Sequence, residues 1–455
     1  MRRVIGFDME KQKRMIDKIQ SFVTKYPCIL SAVIIGSQAR VKKPADEYSD
    51  IDIILISDDS DYLIHSVEWI HEIGDFDINF LEDTLAGAKE RRVIFANNVD
   101  VDFIILSVDS VLSPDKSVCI LPDYALSIFK SGFIFLKDQI GFEKYLLESI
   151  TKSDDELIES ATSFISQTEF DNMCNDFYYH CVWTAKKIAR GELLTAKNCL
   201  DRYMKDILVR VIELIEKTDG KNTWYDGRFI ETWAESDILD KLSNCYALYD
   251  ELSLVHTLLD NIDLFSSLLN QLAQKHLYTY NSNIEKKALQ FIGEVFRKYI
   301  TYAKIHDFSS GLIVTLLEQA YSFDDRYIQA FKGKWIKDDQ FFQDNPSIAD
   351  KFASITVLAG KPIGYNSWDP RELPNKAIIG DNCILPLYKG LGFGKLQLSH
   401  TIGIIKTYYP QRIEVSTDVT FYPAQNMYKS VGFIETARGK GPIDDVIEYS
   451  MTVGM

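Results

Sequence analysis

The sequence predicts a multidomain α+β protein, in which a mixed sheet with helices is followed by a helical domain and then by an α/β domain. Three observations predict it. Short apolar runs rich in β-branched residues, Ile29 to Ile35 and Ile51 to Ile56 among them, alternate with polar helical stretches between residues 27 and 125. From about Asp154 the hydrophobic period lengthens, so that Phe170, Cys174, Phe177 and Cys181 recur on one helical face. Beyond residue 300 strand-like runs return, with glycines at 390, 392 and 394 between a strand and a helix. A chain of 455 residues exceeds one ordinary core, and these changes of pattern divide it into 1-150, 151-295 and 300-455.

Composition narrows the partners. The chain carries 66 acidic against 50 basic residues, a formal charge of −16, which disfavours generic binding of nucleic acid and suits a small cationic substrate. Seven cysteines are scattered with no Cys-x-x-Cys pair, so neither a zinc site nor a disulfide framework is expected. No apolar run approaches the ~18 residues that span a bilayer. The expectation is a cytoplasmic protein without membrane or nucleic-acid partners, its oligomeric state not encoded in any legible pattern.

The first elements carry chemistry. After an opening helix, Met9 to Tyr26, the strand Ile29 to Ile35 delivers Gly36 and Ser37 to a turn, where a missing side chain lets backbone N–H groups approach phosphate oxygens. Arg40 adds positive charge there. Asp50 and Asp52 open the run Ile51 to Ile56, and residues two apart in a strand point to one face, roughly 6 to 7 Å apart at the backbone. Both carboxylates can thus meet one cation. The segment Val99 to Leu106 again puts two acids, Asp100 and Asp102, on one face of an apolar strand, and one of them completes a three-carboxylate cluster. Such a cluster beside a phosphate-binding turn points to Mg²⁺-dependent phosphoryl or nucleotidyl transfer.

This order of Gly-Ser, short gap, Asp-x-Asp and later strand-borne Asp resembles the nucleotidyltransferase superfamily of DNA polymerase β, with Gly36, Ser37, Asp50, Asp52 and Asp102 in those places. The resemblance implies a nucleotidyltransferase mixed sheet, Mg²⁺ on Asp50 and Asp52, and ATP bound through Gly36, Ser37 and Arg40. It makes Asp102 a third metal ligand or the base, with Asp100 as rival.

Further on, Asn175-Asp176-Phe177-Tyr178-Tyr179 is followed by Ala185-Lys186-Lys187-Ile188. This is similar to the helical half of streptomycin-type aminoglycoside 6-adenylyltransferases, a likeness covering roughly residues 10 to 290. Asp176, Tyr179, Trp183 and Lys186 recur at three- and four-residue steps, which predicts a shared face. The resemblance implies that Asp176, Tyr179 and Trp183 bind a small cationic, aminoglycoside-like substrate and that Lys186 meets the triphosphate. Three positions depart from the family: its Gly-Ser-Arg is Gly36-Ser37-Gln38, its Asp-Tyr-Asp is Asp50-Ile51-Asp52, and its helical Glu is Asp176.

Helices are expected over Leu200 to Lys217 and Ala247 to Lys275. The apolar stretch Phe291 to Tyr302 closes the helical region, and Asp307 to Gly311 reads as a turn and cap opening a helix over Leu312 to Tyr321. A strand then ends at Ile384-Leu385-Pro386, and Lys389-Gly390-Leu391-Gly392-Phe393-Gly394-Lys395 runs into the helical Leu396 to Ile405. A glycine turn there aims free N–H groups and the positive helix end at a pyrophosphate. After a strand at Arg412 to Val415 comes Pro423-Ala424-Gln425-Asn426-Met427-Tyr428, leading to Gly432-Phe433.

The basic-Gly-x-Gly-x-Gly loop and the Ala-x-x-x-Tyr-x-x-x-Gly-Phe helix resemble the GNAT acetyltransferase superfamily. The resemblance implies a GNAT α/β domain with acetyl-CoA on Lys389, Gly390, Leu391, Gly392, Phe393, Gly394, Lys395 and Asn426, and with Tyr428 as the acid that protonates the departing thiolate. Phe421 stands where the family commonly has asparagine. Asp381 and Glu414 are both open as the general base, and Trp368 to Arg371 as an acceptor wall. The expected protein is a bifunctional transferase, passing adenylyl from ATP to a hydroxyl and acetyl from acetyl-CoA to an amine of an aminoglycoside-like antibiotic. The alternatives are nucleotidyl transfer to a protein or another small molecule, or one module kept as a non-catalytic ligand sensor.

Overall fold

A computed structural model describes residues 9–84, 87–115, 117–160, 165–221, 223 and 227–453. The chain forms two compact units, Met1–Phe164 and Ile165–Met455. In the first, helix α1 (Met9–Lys25) precedes six strands: β1 (Ile29–Ile35), β2 (Ile51–Ser57), β3 (Phe76–Asp83), β4 (Lys89–Phe95), β5 (Asp100–Ser107) and β6 (Ile134–Asp138). They form one mixed sheet in the order β3-β4-β5-β2-β1-β6. Among the described residues of this unit only β2 and β5 pair in parallel, with Asp52 directly opposite Asp102.

Both faces of this sheet are covered. Ile51, Ile53 and Leu55 pack with Met15, Ile19 and Phe22 of α1, while Ile54 and Ile56 pack with Phe142 and Leu146 of α2 (Phe142–Ser160). Burial on two sides is why β1 and β2 read as unbroken apolar runs rather than alternating ones. Helix α2 also begins well before Asp154, where the change of period was expected.

The second unit opens with α3 (Gln167–Ala189), α4 (Met204–Thr218), α5 (Glu251–His276) and α6 (Ser282–Phe296). A capping box between Ser166 and Glu169 starts α3, and Phe170, Cys174, Phe177 and Cys181 are all buried, as their spacing predicts. Two expected helix starts shift. The one placed at Leu200 begins earlier, at Leu193, and passes through a wide π-turn over Cys199–Tyr203 before regular α-helix resumes at Met204. The one placed at Ala247 begins at Glu251, because the Asp250 carboxylate accepts the Ser253 N–H at 2.8 Å and caps it there.

Seven strands follow: β7 (Ile300–Ala303), β8 (Ala353–Leu358), β9 (Lys361–Asp369), β10 (Lys376–Ile384), β11 (Arg412–Asp418), β12 (Ile434–Lys440) and β13 (Asp445–Thr452). Between them run α7 (Leu312–Ala320), α8 (Asp325–Asp344), α9 (Phe393–Lys406) and α10 (Tyr422–Ser430). The sheet order is β12-β13-β11-β10-β9-β8-β7, with β10 and β11 its parallel pair. One apolar cluster contains Leu398 and Ile402 of α9 with Ile413, Val415 and Tyr449. Another runs without a break from Phe170 through α4, α5 and α6 to Ile355, Ile384 and Phe393. The helical region and the C-terminal sheet therefore share a core. Among the described residues no helix is long and apolar enough to cross a membrane.

Candidate active sites

In the first unit the turn after β1 is a single 3₁₀ turn, Gly36–Gln38. Gly36 has φ +66°, and a Cβ there would stand 2.0 Å from Asp52 Oδ2. Glycine is required twice over, for the left-handed backbone and for the carboxylate that fills the space. Ser37 is buried, and its Oγ has no hydrogen-bond partner among the described residues. Gln38, where the family has arginine, donates from Nε2 to the Asp50 carbonyl at 3.2 Å and so ties the turn to the acidic strand. Gln12 of α1 likewise donates to the carbonyls of Asp46 and Ser49. Arg40 turns its Nε to the Lys43 carbonyl at 2.6 Å.

Asp50, Asp52 and Asp102 each offer a carboxylate oxygen within 4.8 Å of the others. Asp100 lies outside this group and is exposed at the head of β5. Burial pushes the Asp102 carboxyl up to about 7; Arg92 opposes this, while Glu90, Asp100 and Asp52 add to it. Arg92 lies opposite Asp102 in the β4–β5 pairing, with Nε 3.7 Å from Asp102 Oδ2 and 2.7 Å from Glu82. Sequence reading missed Arg92, since nothing local links it to Asp102. Three close carboxylates, with Asp102 Oδ1 buried and unpartnered, are a hard-oxygen donor set of the kind Mg²⁺ takes. These residues fit that ion.

In the second unit α3 and α6 border an open, shallow cavity of about 730 Å³ lined by Asn175, Asp176, Tyr179, Lys287 and Phe291 among others. Asp176 and Tyr179 reach it, but Trp183 and Lys186 are not in its lining. Lys186 lays its ammonium 4.7 Å from the Phe291 ring centroid, and Trp183 stands beside Lys187 and His180. The Asp176 carboxylate already has two partners, His180 Nδ1 at 2.8 Å and the Tyr203 hydroxyl at 3.0 Å. Tyr203 arrives from the π-turn before α4, a distortion with no signature in the sequence.

In the C-terminal sheet β10 and β11 pair over only three positions, Lys376 to Ile378 with Arg412 to Glu414, although both strands continue. Past that point they part, and the glycine loop follows β10. Gly390 and Gly392 have φ of +82° and +80°, and Gly392 begins α9. The first bond into α9 runs from Leu396 N–H to the Gly392 carbonyl, so the N–H groups before it have no helical acceptor. Leu391 and Phe393 bury their side chains in the core, leaving their backbone to the loop. Lys389 points its ammonium at the Ala320 carbonyl and the Phe323 ring, and Lys395 and Asn426 are exposed. Beneath the loop, Gln397 donates to Asn382 and Thr401 to Asn366, a buried network that fixes α9 on the sheet.

Tyr428 is buried, and burial together with the Asp381 charge raises its hydroxyl well above the ordinary phenol value. Of the two acids considered as base, Asp381 is desolvated and raised despite Lys334 at 3.4 Å. Glu414 is held low: burial alone would raise it, but Lys376 at 2.8 Å and Arg412 at 2.6 Å outweigh that. Phe421 packs among Tyr321, Phe323 and Tyr327, a reason for the apolar residue where asparagine was expected. Trp368 is buried against Phe352 and Tyr408, and Arg371 is paired with Asp369.

Known proteins resemble the chain along part of its length. The profile of the streptomycin adenylyltransferase family matches residues 9–295. An aminoglycoside 6-adenylyltransferase of Campylobacter jejuni is 22% identical over 254 residues, covering 52% of this chain and 80% of its own length. Among solved structures, an aminoglycoside 6-adenyltransferase from Bacillus subtilis covers 62% of this chain and 97% of its own, at 15% identity and a TM-score of 0.29. A GNAT-family acetyltransferase candidate from Desulfovibrio desulfuricans covers 34% and 99%, at 13% identity and a TM-score of 0.30.

Proposed function

The chain belongs to the streptomycin adenylyltransferase family through residues 9–295, and from that we propose that its first activity is Mg²⁺-dependent transfer of adenylyl from ATP to a hydroxyl of an aminoglycoside. The observation that carries this is the meeting of Asp50, Asp52 and Asp102 beside a turn whose Gly36 yields its side-chain space to Asp52. Asp50, Asp52 and one oxygen of Asp102 would hold the ion, which supplies charge neutralisation for the triphosphate. The Gly36 to Gln38 turn orients that triphosphate, and the unpartnered Ser37 Oγ is free to donate to it. The other oxygen of Asp102 takes the proton from the attacking hydroxyl as the hydroxyl oxygen bonds to the α-phosphorus and pyrophosphate leaves. In the α3–α6 cavity Asp176 and Tyr179 bind the cationic acceptor, with His180 and Tyr203 orienting the carboxylate. Lys186 carries the triphosphate role only through the family likeness.

Residues 300-455 form the second module of this proposal, an acetyltransferase that moves acetyl from acetyl-CoA to an amine. Support comes from the gap between β10 and β11, the two left-handed glycines at the start of α9, and Tyr428 with Asp381 bearing on it. Asp381 removes a proton from the amine, the nitrogen bonds to the thioester carbon, the C–S bond breaks, and Tyr428 protonates the sulfur. One experiment tests both halves: mass spectrometry of streptomycin and a panel of aminoglycosides after incubation with ATP, acetyl-CoA and Mg²⁺. Adenylyl and acetyl mass gains are expected. A panel without any adenylylated product would sink the first reading, and one without any acetylated product the second.

A further inference from the structure

Helix α6 has two working faces. Ile284, Lys287, Ala288 and Phe291 line the cavity shared with α3. Leu289 and Gly293, about half a helical turn away, face the glycine loop of the C-terminal sheet instead. A Cβ on Gly293 would stand 1.8 Å from the Leu391 carbonyl oxygen, 2.6 Å from its carbon and 2.9 Å from Cα. All three are backbone atoms, so no rotamer change relieves the contact. On the other side of the same contact, a Cβ on Gly390 would stand 3.3 Å from Leu289 Cδ1. Glycine in a helix interior is costly relative to alanine, and the close approach of Leu391 gives Gly293 its reason to be there.

Resting on the acetyltransferase reading above, we propose that Gly293 is a positioning residue for the acetyl-CoA loop: a helix inside the adenylyltransferase-family segment sets where the backbone of residues 390 to 392 stands. The loop binds through its N–H groups, whose direction follows the peptide planes on either side of Leu391. Moving the Leu391 carbonyl by more than about 1 Å, as a Cβ at 293 requires, turns those groups away from the pyrophosphate. The acetyltransferase site is thus built by both parts of the chain.

The test uses the full chain and CoA itself, by calorimetry. Wild type binds CoA, and Gly293→Ala weakens binding at least tenfold. In turnover it raises KM for acetyl-CoA by a similar factor while kcat at saturation and adenylyl transfer stay within twofold. Gly403→Ala in α9, where a Cβ meets nothing within 4 Å, is the control and leaves CoA binding unchanged. Leu289→Ala, which trims the support under Gly390 without a clash, weakens binding three- to tenfold and decides the matter if Gly293→Ala does not fold. Wild type that fails to bind CoA overturns the acetyltransferase reading. Wild type that binds, with both variants within twofold of it, overturns the positioning role alone.

Discussion

Asp52 Oδ2 occupies the place where a side chain on Gly36 would begin, 2.0 Å from that Cβ position. The Gly36–Gln38 turn and the acidic strand are therefore one steric unit. Gly36→Ala must displace the carboxylate and hold a left-handed φ, a conformation that costs roughly 1–2 kcal/mol for residues with a Cβ. The expected result is a fall of at least a hundredfold in adenylyl transfer and a lower melting temperature, read by turnover assay and thermal denaturation. Ser37→Ala, which removes an unpartnered hydroxyl, should weaken ATP binding without lowering the melting temperature.

Asp102 gives a pH dependence with a definite sign. Its folded value, about 7, stands above the 3.8 of an unperturbed aspartate, so in the metal-free protein the folded state binds the proton more tightly than the unfolded state. That contribution is complete below pH 4 and is lost as pH rises through 7. With chelator present, the melting temperature of the first unit should fall by a few degrees between pH 5 and 8. Saturating Mg²⁺ or Asp102→Asn should flatten the slope.

Asp176 sits between His180 and Tyr203 on the wall of the α3–α6 cavity. Asp176→Asn should raise KM for a cationic acceptor about tenfold and leave KM for ATP within twofold. Tyr203→Phe, which removes one orienting bond, should give a smaller rise. A neutral acceptor would show neither effect in steady-state kinetics.

In the C-terminal site, Tyr428→Phe should lower kcat for acetyl transfer by roughly 10²–10³-fold with CoA affinity retained. Asp381→Asn should do likewise, and Glu414→Gln, whose ion pairs already occupy it, should change kcat less than threefold. A larger loss in Glu414→Gln than in Asp381→Asn would reverse the assignment of the base.

The central strands of the first sheet, β1, β2 and β5, were legible because they are buried on both sides: β1 spans the same residues, Ile29 to Ile35, in sequence and structure. The choice between Asp100 and Asp102 was not legible. Both lie on one strand face, and only the parallel pairing of Asp52 with Asp102 decides which one enters the cluster. Arg92 stayed hidden for the same reason, since cross-strand register is a long-range fact. The steps linking Asp176, Tyr179, Trp183 and Lys186 were correct as helical spacing, yet packing by α6 divided them: Asp176 and Tyr179 reach the cavity and the other two do not. The glycine loop was legible as a tight turn between strand and helix, whereas its contact with Gly293 joins residues nearly a hundred positions apart.

The unbroken cluster from Phe170 to Phe393 also sets a timetable for the ribosome. The apolar faces of α5 and α6 leave the exit tunnel before the strands that cover them have been translated. At about 5–20 residues per second, the roughly hundred residues between Phe296 and Phe393 take on the order of 5–20 s. For that interval the nascent helical region is a ready client for chaperones, and a message truncated after residue 295 would leave it so permanently.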